Sequence, residues 1–412
     1  MHDRYIVLAD DFKPMRGGIA EYLHHLWNEV GKSADVTIFS CAGAVDSEQQ
    51  PNYSLHHLPA PPRESPLGLS RVPLVWRVDS SIRRYLMHKY AWNVARRIAN
   101  RGRPAHCFVG SWSGELSHYW CAALRTASVR YSIFAYGLEF VTAKKGLRRE
   151  WLASDFQSAE RIYAASGGTA RLIESTIGTK IPISVVNPGV DISAPGALAS
   201  RDASFPNDWR VQGKRVVLSV CRLVERKGLD LAIKAVAGLV GEFPDLCYVI
   251  AGAGPARADL EKLAALLGVG GHVQFVGEVS DSSRQALYEA SEFFVMPNRD
   301  MNGNDWEGFG IVFLEAAAAG KPSIGGNNGG VSDAIVDGVT GFLVDTATDE
   351  KSTLAAMRML LQDNERRTEM GRAARRRARG AFSWERVARN FVSTPDHANQ
   401  VEPAERAPTR AD

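Results

Sequence analysis

Residues 293–324 read FFVMPNRDMNGNDWEGFGIVFLEAAAAGKPSI. The apolar run Phe293–Met296 is too short for a helix and lacks strict alternation, the pattern of a strand buried on both faces. Gly308 and Gly310 break structure ahead of a run of strong helix formers, and Gly320 with Pro322 stops that run. The helix therefore begins near Phe309–Ile311, and Pro322–Ile324 opens another strand. Strand, helix and strand in this order make a βαβ unit, which requires parallel pairing.

The same alternation extends in both directions. Short apolar runs at Tyr5–Ala9, Val36–Phe39, Cys107–Val109, Tyr131–Ala135, Arg161–Ala164 and Ile183–Val186 precede it. A second series comprises Val216–Val220, Leu246–Ala251, Val273–Val276, Phe293–Met296, Pro322–Ile324 and Gly341–Val344. Helical patterns separate them, so the fold class is α/β, with two doubly wound Rossmann-like domains facing an interdomain cleft. The chain's 412 residues suit two domains. The stretch from Asn187 to Lys214 holds Pro188, Gly189, Pro195, Gly196, Pro206 and Gly213 and little apolar periodicity, as a linker does. The expected division is an N-terminal domain at 1–195, a C-terminal domain at 196–380, a helix at 381–393 returning toward the N-terminal domain, and a disordered tail at 394–412. Ser383 is a good N-cap for that helix, with Trp384, Val387 and Phe391 on one face. The tail carries Pro395, Pro403 and Pro408, many charges and no apolar face.

A 45% hydrophobic and 23% charged composition is that of an ordinary globular protein, and a net charge of +3 is too small to argue for nucleic acid. Cys41, Cys107, Cys121, Cys221 and Cys247 form no C-x-x-C pair and have apolar neighbours, so they read as core residues in a reducing compartment. No apolar run approaches the ~20 residues of a membrane span, and Asp10 and Asp11 cut the first run too short for a signal peptide. The expected location is the cytoplasm. The histidines, including the adjacent pairs His24-His25 and His56-His57, show no metal spacing, so no metal is expected.

The chemistry concentrates where the helix after Phe293–Met296 begins. Open parallel sheets bind ligands at the carboxyl ends of their strands. Free backbone N–H groups at Gly308, Phe309, Gly310 and Ile311, with the positive end of the helix dipole, suit phosphate or sugar oxygens. Glu307 just before the helix and Glu315 within it can accept pairs of sugar hydroxyls. The plainer alternative is that Glu307 caps the helix and Glu315 pairs with a cation. Arg222 and Lys227 follow Val216–Val220, with Gly228 opening the next helix; a guanidinium fork and a mobile ammonium suit a pyrophosphate, or else are surface cations at a strand end. Arg226 can substitute for either. Gly17-Gly18, between the first strand and its helix, lets backbone approach a ligand closely, although turns also use such pairs. Gly252, in Ala251-Gly-Ala-Gly254-Pro255, ends another strand in a turn, and Glu278 with Val279 follows a third. No G-x-G-x-x-G occurs, which argues against a dinucleotide dehydrogenase.

Taken together, E-x7-E in EGFGIVFLEAAAAGKPSIG, Gly329-Gly330-Val331-Ser-Asp333, Asp337-Gly-Val-Thr-Gly341-Phe-Leu-Val, Ser219-Val-Cys-Arg222-Leu-Val-Glu-Arg-Lys227-Gly228 and Asn187-Pro-Gly-Val-Asp191 resemble the retaining GT-B glycosyltransferases of the GT4 family. The likeness covers nearly the whole chain and is densest in the C-terminal half. It implies a donor site in which Glu307 holds the transferred sugar, Glu315 the ribose, Arg222 and Lys227 the departing diphosphate, and Gly17 and Gly18 approach the donor phosphate and the acceptor. It also implies that Gly252 shapes the nucleotide side and that Glu278 and Val279 lie near the base. Many relatives have His-Gly-x-Glu or His-Gly-x-Asp where this chain has Tyr136-Gly137-Leu138-Glu139. Tyr136 then takes the place of a His that contacts the sugar, or is a core aromatic; a phenol does not titrate near neutral pH.

Asn298-Arg-Asp-Met-Asn-Gly-Asn-Asp-Trp-Glu307 resembles the extended loop of phosphatidylinositol mannosyltransferases. That likeness favours GDP-mannose over a UDP-sugar as donor, with no cofactor and a glycan or lipid-linked acceptor. The alternatives are a UDP-sugar-dependent glycosyltransferase, a GT-B-fold epimerase and a non-catalytic nucleotide-sugar-binding protein. From Arg63 to Arg103 the chain is strongly cationic, with Trp76, Tyr85, Tyr90 and Trp92 interleaved. It reads as amphipathic helices that either dock at the inner face of an anionic membrane, with Lys144-Lys145 and Arg148-Arg149 adding charge, or form a solvated face.

Overall fold

The computed structural model describes residues 4–15, 17–40, 51–57, 86, 88–98, 106–178, 180–192, 209, 211–301, 306–346 and 351–393. Cys41, most of the Arg63–Arg103 stretch, much of the linker and the expected tail lie outside these residues. Two units emerge, one of 1–188 with 387–401 and one of 189–386 with 402–412.

The first unit carries β1 (Arg4–Ala9), β2 (Asp35–Ser40), β3 (Ser54–His57), β4 (His106–Val109), β5 (Tyr131–Ala135), β6 (Ile162–Ala164) and β7 (Ile183–Val185). They form one parallel sheet ordered β3-β2-β1-β4-β5-β6-β7. The expected apolar runs are its strands, except β3. Its Ser-Leu-His-His sequence is exposed but for half-buried Leu55, because an edge strand needs only the backbone of β2. Helix Gly18–Val30 follows β1 and buries Ala20, Tyr22, Leu23, Leu26, Trp27 and Val30, an apolar stripe at helical spacing.

The second unit carries β8 (Arg215–Val220), β9 (Leu246–Ala251), β10 (Val273–Gly277), β11 (Ser291–Met296), β12 (Ser323–Gly326) and β13 (Gly341–Val344). The sheet runs β10-β9-β8-β11-β12-β13, again all parallel. Successive strands step outward from β8 on one side and from β11 on the other, so the direction of winding reverses between them. Helix Ile311–Ala318 lies between β11 and β12 in sequence, with Phe313, Leu314, Ala316 and Ala317 buried. Just past its end helix Asn364–Ala381 comes close: a Cβ on Gly371 would sit 2.1 Å from the Gly320 carbonyl oxygen.

Helix Trp384–Ser393 passes from one unit to the other. In the second unit Trp384 lies on Gly189, where a Cβ would stand 2.5 Å from the indole. In the first, Phe391 joins Tyr5, Trp27, Phe108, Phe134 and Tyr163 at centroid distances of 5.1–6.4 Å. Cys107, Cys121 and Cys247 are buried free thiols and Cys221 is half-buried. Among the described residues no helix is long and apolar enough to cross a membrane.

Candidate active site

In the second unit the loops after β8 and β11 meet at the point of reversal. β8 runs into Cys221-Arg-Leu-Val and a single 3-10 turn, Glu225–Lys227, closed by Gly228. Gly228 has φ +67°, and a Cβ there would lie 2.0 Å from the Pro297 carbonyl oxygen just after β11. Only glycine satisfies both the left-handed turn and this approach. The amide of Arg299 donates to the Arg226 carbonyl at 2.8 Å, and the Arg299 guanidinium pairs with Asp230. Beyond β11, buried Asn298 donates from its side chain to Asn328 Oδ1 at 2.7 Å and accepts from Asn328 at its own carbonyl at 2.6 Å. Gly330 N–H donates to the Glu307 carbonyl at 2.9 Å. These backbone and side-chain bonds together hold both loops.

Across this frame Lys227 Nζ and Arg226 Nη1 both meet Glu307 Oε2, at 2.5 Å and 2.6 Å. The Glu307 side chain is 11% exposed and that of Lys227 10%. Burial raises the Glu307 carboxyl, and the charges of Lys227 and Arg226 outweigh burial, holding it below the ordinary carboxylate range. Glu307 is therefore ionised, a weak base and a good acceptor. The structure brings Lys227 and Glu307 together, as the sequence reading places them, but the second cation on Glu307 is Arg226. Arg222 is exposed, and its guanidinium makes no hydrogen bond or ion pair among the described residues.

Helix Ile311–Ala318 starts at Gly310, φ +85°, in the expected place and without a side-chain cap. Gly308 and Ile311 are half-buried and Phe309 is buried. One turn into the helix, Glu315 Oε2 accepts a 2.8 Å hydrogen bond from Tyr288 and Oε1 lies 3.8 Å from Arg284. Both partners come from helix Asp281–Ala290, which Ser280 caps by accepting from Ser283 N–H at 3.2 Å. Sequence reading passed over Tyr288. Its i,i+4 spacing from Arg284 was the available sign that both face one target. Gly252 does a packing job in addition to ending β9: a Cβ there would stand 2.0 Å from the Cys221 carbonyl oxygen. Glu278 is exposed and Val279 half-buried after β10.

The first unit has its own reversal, between β1 and β4. Asp10, just past β1, accepts hydrogen bonds from Ser113 and from Ser117, the latter at 3.0 Å. Burial pushes its carboxyl up to about 6, against the lowering effect of the two hydroxyls. Sequence reading did not connect these residues. Tyr136 is half-buried after β5; its phenol donates to the Gly110 carbonyl at 2.9 Å and its ring meets Tyr22 edge-on at 5.6 Å. Its backbone N–H donates to Glu139 Oε1 at 2.7 Å. Gly17 and Gly18 are exposed at the start of their helix, with nothing within 4 Å of a Cβ built on Gly17. Among the described residues no group of His, Cys, Asp or Glu is placed to hold a metal ion.

Residues 201–377 match the family of glycosyl transferases group 1. The chain is 28% identical over 382 residues to the GDP-mannose-dependent alpha-(1-6)-phosphatidylinositol monomannoside mannosyltransferase of Mycolicibacterium smegmatis, covering 92% of this chain and 94% of that protein. It is 31% identical over 294 residues to the D-inositol 3-phosphate glycosyltransferase of Geodermatophilus obscurus, covering 68% of this chain and 61% of that one. Among solved structures, sucrose-phosphate synthase from Thermosynechococcus elongatus aligns with a TM-score of 0.72 at 21% identity, over 94% of this chain and 97% of that one. HepE of Anabaena, solved in complex with UDP, aligns with a TM-score of 0.69 at 17% identity, over 95% and 99%. Two parallel-sheet units of this topology, a group 1 segment over most of the second, and relatives that are glycosyltransferases along nearly the whole length identify the chain as a glycosyltransferase of the GT-B fold.

Proposed function

We propose that the chain transfers mannose from GDP-mannose, with retention of configuration, to a glycan or lipid-linked acceptor. The observation that carries this reading is the Lys227–Glu307–Arg226 cluster at the sheet reversal of the second unit. Cations at that edge suit a diphosphate, and an ionised carboxylate beside them suits sugar hydroxyls. The choice of mannose and GDP leans on the M. smegmatis relative, whose name specifies both.

The chemistry follows from charge. The bond from the sugar C1 to the donor phosphate breaks while C1 bonds to the acceptor oxygen on the same face. The acceptor proton passes to the departing diphosphate oxygen. Lys227, Arg226 and exposed Arg222 stabilise the charge that grows on that diphosphate. Glu307, held strongly ionised by two cations, is a poor nucleophile; its task is to accept hydrogen bonds from the sugar hydroxyls. Lys227 and Arg226 both pair with Glu307, so a diphosphate drawn to these cations must share them with that carboxylate or displace it. The phenol of Tyr136 already donates its proton to the Gly110 carbonyl, which leaves its oxygen able to accept from a hydroxyl but not to donate to one. Contact with an anionic membrane face, through the basic N-terminal stretch and the exposed Lys144, Lys145, Arg148 and Arg149, belongs to the same reading.

A thermal-shift panel of GDP- and UDP-sugars tests the donor, because a ligand at 100 times its Kd stabilises the fold by about 2.7 kcal/mol. GDP-mannose should give the largest shift, and NMR of the product should show the α anomer. A larger shift with a UDP-sugar would move the assignment to the UDP class, which the HepE complex with UDP favours as the second reading. A β product would remove retention.

A further inference from the structure

Glu307 and Glu315 are held in opposite ways. Two cations grip Glu307. Glu315 instead meets a phenol: Tyr288 is 1% exposed, and its hydroxyl lies 2.8 Å from Glu315 Oε2 and 3.4 Å from the Val312 carbonyl oxygen. A phenol has one proton to give, and the shorter bond to the charged acceptor takes it. Burial, and then the Glu315 charge, hold that phenol protonated. Arg284 stands 3.8 Å from the other oxygen, Oε1, and 3.1 Å from Asp281 on its own helix. Tyr288 anchors the carboxylate at Oε2, and the Glu315 side chain as a whole is 21% exposed.

We infer that Tyr288 is a positioning residue for the nucleotide: by fixing one oxygen of Glu315 it presents the other to the ribose hydroxyls of the donor. The inference rests on the donor-site reading above, in which Glu315 takes the ribose. A glutamate on a helix has three side-chain torsions to order, and a buried donor that orders them beforehand raises affinity without a contact of its own. Tyr288 reaches Glu315 from a different helix, the one between β10 and β11.

The test uses the full chain, Tyr288→Phe, and calorimetric titration with GDP and with 2′,3′-dideoxy-GDP; UDP and its dideoxy analogue form a parallel arm. Tyr288→Phe keeps the ring that fills the core and deletes one oxygen. Losing a hydrogen bond to a charged group predicts binding of the intact nucleotide weakened about tenfold. The decisive quantity is the penalty for removing the ribose hydroxyls, a ratio taken within each protein and so insensitive to a partly unfolded preparation. It should be about tenfold or more in the native protein and fall to within about twofold in Tyr288→Phe. Donor KM should rise with kcat nearly unchanged, the mark of lost uniform binding. A full ribose penalty persisting in Tyr288→Phe overturns the positioning role and leaves the donor site standing. No ribose penalty in the native protein, in either arm, overturns the ribose reading of Glu315 and this inference with it.

Discussion

At the residue level the proposed donor site is a competition for two cations. Lys227 and Arg226 share Glu307 Oε2, and a diphosphate must contend with that carboxylate. Glu307→Gln removes the competitor's charge and keeps its shape. Nucleoside diphosphate should then bind several-fold tighter by calorimetry, while transfer falls about 10²-fold because a neutral amide has one acceptor oxygen and no charge to offer the sugar hydroxyls. Weaker nucleotide binding in Glu307→Gln would contradict the competition. In the first unit Glu139 is buried, and burial raises its carboxyl from 4.5 to about 7 against the backbone N–H bonds that favour the charge. Folded protein therefore holds a proton there that the unfolded chain has lost. Stability from this group is full below about pH 4.5 and declines as pH rises toward 7, by an amount on the order of 3 kcal/mol. Glu139→Gln should flatten Tm against pH across that window; an unchanged slope would assign it to other groups, with Asp10 next in line.

Among elements, helix Ile311–Ala318 matters most, because its first turn and Glu315 both belong to the proposed donor site. Its start depends on Gly310. A Cβ there meets Phe313 Cδ2 at 2.7 Å in a backbone with φ +85°. Gly310→Ala should cost about 2 kcal/mol or more from left-handed strain plus overpacking, read as a lower midpoint in urea. Nucleotide binding should weaken as well, since the turn that carries the free N–H groups shifts. A variant with native stability would mean that the Phe313 ring yields freely. The start and stop of this helix were legible locally, in Gly308, Gly310, Gly320 and Pro322. Edge strand β3 was not, because backbone pairing with β2 and not apolar pattern makes it a strand.

For the whole molecule, the telling segment is helix Trp384–Ser393, whose two ends belong to different units. Phe391 packs within the first unit against residues of β1, β4, β5, β6 and the helix after β1. Phe391→Ala should destabilise that unit by about 3–5 kcal/mol through the cavity left behind. Calorimetry should show an earlier unfolding step, with GDP binding retained by the second unit below it. A loss under ~1 kcal/mol would show that the aromatic cluster closes over the gap.

The sequence by itself determined two parallel α/β units and nearly every strand, and it singled out Lys227, Glu307 and Glu315 as candidates for the proposed donor site. Periodicity, glycine and proline placement and motif spacing are local properties, and they survive without coordinates. Tertiary structure decided which side chains touch. Arg226 reaches Glu307 because a 3-10 turn, closed by Gly228 against Pro297, places it beside Lys227 on one carboxylate oxygen. Tyr288 reaches Glu315 across 27 residues because parallel pairing in the sheet sets two helices side by side. Such pairings depend on the register and packing of distant strands, which no short stretch of sequence encodes.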